Sequence, residues 1–194
     1  MSDNFHIVVC ASGGGGNFQA LIDARARLGY DISCLITDRP CGAQNRALNH
    51  DIPHIALNKR SMKDSFWNIF LESIPPDTDL IVLAGFMPIV PERVCTIWSS
   101  KMINTHPSLL PKYGGKGMYG VKVQEAVMAA REEYAGCTVH FVTPEIDGGS
   151  ILLQKRITVD YAQTPWELGG RVFQEENKLL VQAVEIIMEK KRNG

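Results

Sequence analysis

The sequence predicts an α/β fold: a doubly wound, mostly parallel open sheet of Rossmann-like type, with an antiparallel C-terminal hairpin, in a single domain. Three observations lead there. Apolar β-type runs alternate with helix-periodic stretches through the first hundred residues, the signature of βαβ crossovers. The run Asp79–Ala84 (DLIVLA) shows no polar alternation, which fits a strand covered on both faces, as in a parallel sheet. Past residue 130, two strand-like runs are joined by Thr143-Pro-Glu-Ile-Asp-Gly-Gly, a turn rather than a crossover.

The elements follow in order. His6–Ala11 (HIVVCA) is a short run rich in β-branched residues, and Asn17–Leu28 then spaces Phe18, Leu21, Ile22 and Leu28 along a helix face. Asp31–Thr37 is a second strand, Ala43–Asp51 a helix and His54–Leu57 a third strand. Met62–Ser73 reads as one helix with Phe66, Ile69 and Phe70 on one side, closed by Pro75 and Pro76. Strand Asp79–Ala84 precedes a short helix, Pro91–Trp98, with proline at a favourable early position, and a fifth strand, Met102–Thr105. Beyond a loop come a helix, Val121–Glu132, strands Cys137–Val142 and Ser150–Ile157, and a closing helix from about Pro165 to Lys191.

In such a sheet, ligands bind beyond the carboxyl ends of the strands, near the point where strand order reverses. The loops after Ala11, Ala84 and Thr105 are therefore expected to meet. The 194 residues fit one domain, with no repeat, low-complexity tract or linker. Its two halves cover about residues 1–100 and about 101–194.

A net charge of −1 with 21% charged residues argues against a dedicated nucleic-acid binder, which carries a basic face. Five scattered cysteines form no Cys-x-x-Cys, so buried thiols are expected instead of a metal site or a disulfide framework. The N-terminus lacks a secretory pattern, and no apolar run has the length of a membrane span. A cytoplasmic location, without membrane, is expected.

Ser12-Gly13-Gly14-Gly15-Gly16-Asn17 follows the first strand and opens a helix. Glycines let backbone approach an anion, and the free amides of a helix start point toward it. A plain strand-to-helix turn also uses glycine. A nicotinamide fingerprint counted from Gly13 fails at Phe18, although Asp38 lies where a ribose-binding acid would fall. Gly-x-x-x-x-Gly-Lys-Ser/Thr is absent.

Asn104-Thr105-His106-Pro107-Ser108 ends the fifth strand. Period two sends Asn104 and His106 to one side and Thr105 to the other. A carboxamide can stabilise an oxyanion and an imidazole can move protons, so the pair suits acyl transfer, though a purely structural pair satisfies the same pattern. Asp147 heads an Asp-Gly-Gly turn that needs no function to explain it; a catalytic role requires the turn to fold back over His106, where a carboxylate favours the imidazolium. His6, His50, His54 and His140 read as ordinary surface or core histidines.

On Leu83-Ala-Gly-Phe-Met87, Ile103-Asn-Thr-His-Pro-Ser-Leu-Leu-Pro-Lys-Tyr113 and Gly136–Gln154, the chain resembles the phosphoribosylglycinamide formyltransferases, folate-dependent enzymes of purine biosynthesis. With the glycine loop and the last helix in register, the likeness covers nearly the whole chain. It implies transfer of the formyl group of 10-formyltetrahydrofolate to the amine of glycinamide ribonucleotide, without metal, by a monomer or homodimer. It implies that Asn104 holds the formyl oxygen, that His106 donates a proton, and that Asp147 keeps that histidine charged. Gly15, Gly16 and Asn17 match the loop on the acceptor's phosphate; Phe173, Gln174, Glu175 and Glu176 match the segment on its ribose. Lys63, Met87, Pro88, Ile89, Val90, Asn104, Thr143, Pro144, Glu145, Ile146 and Asp147 match the folate-binding positions. The resemblance assigns the acceptor's phosphate to the first half, catalysis and folate mainly to the second, and implies a cis bond at Leu110-Pro111.

Departures from the family pattern fall at Gly14 and Gly16, which replace polar residues, at Pro88, often basic, and at Gly114–Gln124, a longer stretch lacking a common histidine. They bear on affinity more than on chemistry. Among related activities, a tRNA-directed formyltransferase would carry a basic C-terminal domain and a formyl-folate hydrolase an N-terminal one. A sugar-amine formyltransferase fits the glycine loop less well than a phosphorylated acceptor does. The rivals of other classes are a noncatalytic folate- or nucleotide-binding module and a dinucleotide reductase.

Overall fold

The computed structural model describes residues 4–193; residues 1–3, part of the N-terminus read above for a secretory pattern, lie outside them. Two compact units divide between Ile103 and Asn104, within the fifth strand.

The first unit contains β1 (Phe5–Ala11), α1 (Gly16–Leu28), β2 (Tyr30–Thr37), α2 (Gly42–Asn49), β3 (His54–Ala56), α3 (Lys59–Met62), α4 (Phe66–Glu72), β4 (Leu80–Leu83) and α5 (Glu92–Ile97). Its strand order is β3-β2-β1-β4, with the opening residues of β5 (Met102–His106) at the β4 edge. β1 pairs in parallel with β2 and β4, and β2 with β3. Order reverses beside β1, so the loops after β1 and β4 meet: Ser12 N–H donates to the Gly85 carbonyl at 3.1 Å, and Met87 N–H to Ser12 Oγ at 2.8 Å. Ile7, Val8, Val9 and Cys10 of β1 and Leu80, Ile81 and Val82 of β4 are fully buried, as their unalternated apolar runs require. Phe18 and Leu21 of α1 and Phe66 and Phe70 of α4 complete this core.

One expected element is broken. The sequence predicts a single helix over Met62–Ser73. The structure holds α3, a 3-10 turn at Lys63–Ser65, and α4, with Lys63 at φ 44° where the path bends. Asn58 begins α3 instead, its side chain accepting from Ser61 N–H at 3.2 Å.

The second unit contains the rest of β5, then α6 (Val121–Ala129), β6 (Tyr134–Phe141), β7 (Ile151–Thr158) and α7 (Pro165–Asn193). Strand order here is β5-β6-β7, and β6 and β7 form the antiparallel hairpin. α7 packs on β6, β7 and α6; Leu168, Val172, Leu180, Ala183 and Val184 of α7, Cys137 and Val139 of β6, and Val123 and Val127 of α6 are all buried. α6 stops short of the expected Glu132, with Arg131 at φ 57° turning the chain into β6. Leu110-Pro111 is cis.

All five cysteines are free. Burial pushes the Cys34 thiol up to about 11 and the Cys137 thiol up to about 12, so both stay protonated near neutrality and act as core residues.

Candidate active site

In the first unit, the glycine loop turns the chain from β1 into α1. Gly15 caps α1 at φ 74° and, having no side chain, makes no side-chain cap hydrogen bond. Only glycine fits there: a Cβ would lie 2.9 Å from both Cα and Cβ of Ala43. α2 braces the loop. Ala43 N–H donates to the Gly13 carbonyl at 3.0 Å, and Arg46 donates through Nε to the Gly14 carbonyl at 2.7 Å and through Nη1 to Gln19 at 3.0 Å. Asn17 is buried at the mouth of α1. Asp38, just after β2, is buried, and its Oδ2 accepts from Arg39 Nε at 2.9 Å and Nη2 at 2.7 Å.

After β4, Met87 and Ile89 are 44% and 56% exposed while Pro88 and Val90 turn inward. That alternation leaves two apolar side chains exposed on the loop after β4. Lys63 is exposed at the α3–α4 break.

In the second unit, four polar side chains converge. Asn104 and His106 point the same way from β5, as period two requires, while Thr105 turns into the interior. The hairpin turn returns Asp147 to them: its Oδ2 lies 3.5 Å from His106 Nδ1 and its Oδ1 3.6 Å from His140 Nε2. Asp147 sits at φ 55°, a region aspartate tolerates better than bulky residues. Gly149 behind it must be glycine, because any Cβ would overlap the Phe141 carbonyl. Gly115 N–H donates to Asp147 Oδ2 at 2.8 Å.

His106 is 5% exposed, and acceptors face both ring nitrogens: the Tyr113 carbonyl at 2.8 Å from Nε2, and Asp147. A carbonyl only accepts, so Nε2 carries a hydrogen. Burial alone would raise the Asp147 carboxyl. The neighbouring His140 and His106 rings and the Gly115 amide outweigh it and hold the group below the ordinary carboxylate value.

The loop between β5 and α6 is pinned from beneath. Thr138 Oγ1 donates to the Ser108 carbonyl at 2.7 Å and accepts from Leu110 N–H at 3.1 Å and Gln154 Nε2 at 2.9 Å. Gln124 Nε2 donates to the Pro107 carbonyl at 2.7 Å. The stretch after His106 is thus held by buried polar groups, and the ring inherits that rigidity.

His140, which reads in the sequence as an ordinary strand histidine, stands inside this cluster, with its Nε2 3.1 Å from Asn104 Nδ2. Its near neighbours are distant in sequence, so alternation within β6 gave no sign of them; proximity to the Asp-Gly-Gly turn was the available cue.

The other expected site residues lie as follows. In α7, Phe173 is 41% exposed, Gln174 is exposed, Glu175 pairs with Lys178 at 2.7 Å, and Glu176 is buried. Thr143 is half-buried, Pro144 and Glu145 are exposed, and Ile146 is 37% exposed in the turn before Asp147. Among the described residues no cluster of histidine, cysteine and acidic side chains could hold a metal, and no helix is long and apolar enough to cross a membrane.

The formyl transferase family model matches residues 5–184. A chloroplastic phosphoribosylglycinamide formyltransferase of Arabidopsis thaliana is 33% identical over 95% of this chain, which spans 66% of that protein's length. The phosphoribosylglycinamide formyltransferase of Haemophilus influenzae is 35% identical over 89% of this chain and 82% of its own. The crystal structure of phosphoribosylglycinamide formyltransferase from Anaplasma phagocytophilum superposes with a TM-score of 0.85 at 32% identity, covering 96% of this chain and 89% of that one.

Proposed function

The chain belongs to the formyl transferase family, alongside phosphoribosylglycinamide formyltransferases, and on that footing we propose that it transfers a formyl group from 10-formyltetrahydrofolate to the amine of glycinamide ribonucleotide in purine biosynthesis. The observation that carries this reading is the convergence of Asn104, His106 and Asp147 in a matrix of fixed hydrogen bonds.

The glycine loop at the start of α1 takes the acceptor's phosphate through Gly15, Gly16 and Asn17. Phe173 to Glu176 contact the ribose. The family's folate-binding positions fall at Lys63, Met87, Pro88, Ile89 and Val90 in the first unit and at Asn104 and Thr143 to Asp147 in the second; Met87, Ile89 and Ile146 among them are exposed apolar side chains suited to a flat heterocycle. In this assignment the first unit serves the phosphate, and the second serves the chemistry and most of the folate.

10-Formyltetrahydrofolate supplies an electrophilic formyl carbon. As the acceptor's amine bonds to that carbon, negative charge gathers on the formyl oxygen, and Asn104 and protonated His106 stabilise it. Asp147 balances the charge of His106 and orders water that carries a proton from the attacking amine to the departing folate nitrogen. The carbon–nitrogen bond to folate then breaks. No metal and no covalent enzyme intermediate enters the scheme. Five free thiols support a reducing, cytoplasmic setting.

The test is direct. Purified protein is mixed with 10-formyltetrahydrofolate and glycinamide ribonucleotide, and tetrahydrofolate and formylated product are followed. Absence of both products overturns the assignment.

A further inference from the structure

We propose that His140 is a positioning residue: it fixes the rotation of the Asn104 carboxamide so that an N–H faces the formyl oxygen. The inference rests on the reading of Asn104 as an oxyanion donor.

His140 Nδ1 lies 2.9 Å from the Phe141 carbonyl, which has no hydrogen to give, so Nδ1 carries one. In the neutral ring, Nε2 is then a bare acceptor. The atom 3.1 Å away is Asn104 Nδ2, which has two hydrogens to donate. One of them goes to Nε2. Asp147 Oδ1, 3.6 Å from the same nitrogen, has no hydrogen bond to it while the ring is neutral.

A carboxamide has two rotations that place nitrogen and oxygen in exchanged positions. Without a fixed acceptor they compete, and one of them presents oxygen to the charge developing on the substrate. His140 selects the other. With one amide hydrogen held by Nε2, the second stays available to the formyl oxygen. Donors count in catalysis when they are oriented before the reaction begins.

The ring itself is immobilised. His140 is 2% exposed. A β-bulge falls beside it: Val139 pairs with Leu153 and His140 with Ile151, leaving Leu152 as the extra residue of β7. Bulges near sites re-aim side chains, and this one stands between the ladder and the Asp147 turn.

Two substitutions separate the role from mere packing. His140→Met fills the space without an acceptor; His140→Gln returns an oxygen acceptor. With 10-formyltetrahydrofolate and glycinamide ribonucleotide, His140→Met should lower kcat by about 10²-fold with both KM values little changed. His140→Gln should recover most of that loss. Unchanged kcat in His140→Met, a loss confined to KM, or no recovery in His140→Gln overturns the proposal. A third measurement needs no activity and no variant to fold: nitrogen-15 spectra of the wild-type protein should show His140 as the neutral Nδ1–H tautomer, with a coupling across the bond from Asn104. An Nε2–H tautomer overturns the proposal whatever the kinetics. A wild-type protein that forms no product refutes the formyl-transfer reading instead, and leaves the tautomer result to decide the hydrogen bond on its own.

Discussion

Gly115 and Asp147 are joined across 32 residues by a single hydrogen bond, main-chain N–H to Oδ2 at 2.8 Å, on the oxygen that faces His106. The carboxylate is therefore held by backbone as well as by imidazole, and its orientation does not depend on the state of the histidine alone.

Asp147→Asn keeps the shape of this group and removes its charge. Turnover should fall by roughly 10²–10⁴-fold, the usual range for a proton-transfer group, while the fold persists at neutral pH. Steady-state kinetics beside far-ultraviolet circular dichroism would check it, and a variant within a factor of three of wild type, by order of magnitude, would remove Asp147 from the mechanism.

Acid stability should depend on the same carboxylate. Its folded-state value is depressed, so on acidification the unfolded chain takes up the proton first. The stability it contributes is fully present above the unfolded value, about 3.9, and is lost as pH falls through the lower folded value. Denaturation free energies measured from about pH 5 downward should fall less steeply in Asp147→Asn than in wild type. Equal slopes would mean that the group is not depressed.

Asn104→Ala and His106→Ala remove the proposed oxyanion partners. Each should cost about 10²–10³ in kcat. The acceptor's KM should hardly move, because its phosphate and ribose are assigned elsewhere. Initial-rate kinetics with both substrates varied would distinguish this from a binding defect.

Gly15→Ala tests the phosphate cradle from its backbone. Left-handed φ costs a non-glycine residue about 1–2 kcal/mol, and the new methyl would press on Ala43. A lower urea midpoint together with a higher KM for the phosphorylated acceptor is expected. A midpoint shift with unchanged KM would separate the loop from phosphate binding.

Thr138→Val preserves volume and deletes a hydroxyl that donates once and accepts twice. A polar group left unsatisfied in the interior costs roughly 1–3 kcal/mol. The melting temperature should drop, and activity with it, since the loop behind His106 loses its anchor. Calorimetry and an activity assay on one preparation would show both.

Much of the architecture was legible because burial writes itself into composition. β1 and β4 are covered on both faces, so Ile7 to Cys10 and Leu80 to Leu83 had to be apolar without alternation, and they are. The Asn104–His106 pair was legible for the same kind of reason, since a strand enforces period two. Lys63 was not legible. Its neighbours keep helical spacing and lysine is a good helix former, so nothing in the sequence marks the positive φ at which α3 ends. His140 escaped because its partner, Asn104, is 36 residues away, and a buried strand histidine looks the same in sequence whether or not it touches a carboxamide.

Tyr113 meets His106 through its carbonyl while its hydroxyl turns to Glu132 at 2.9 Å, and its backbone sits at φ 57°. A main-chain acceptor belongs to every amino acid alike. Evolutionary drift at this position can therefore exchange one side chain for another without disturbing the imidazole, provided the bend survives. Glycine and asparagine, which adopt that bend with least strain, are the replacements such drift should reach first. A survey of tolerated substitutions would score position 113 as permissive, although the peptide group there is one the histidine cannot do without.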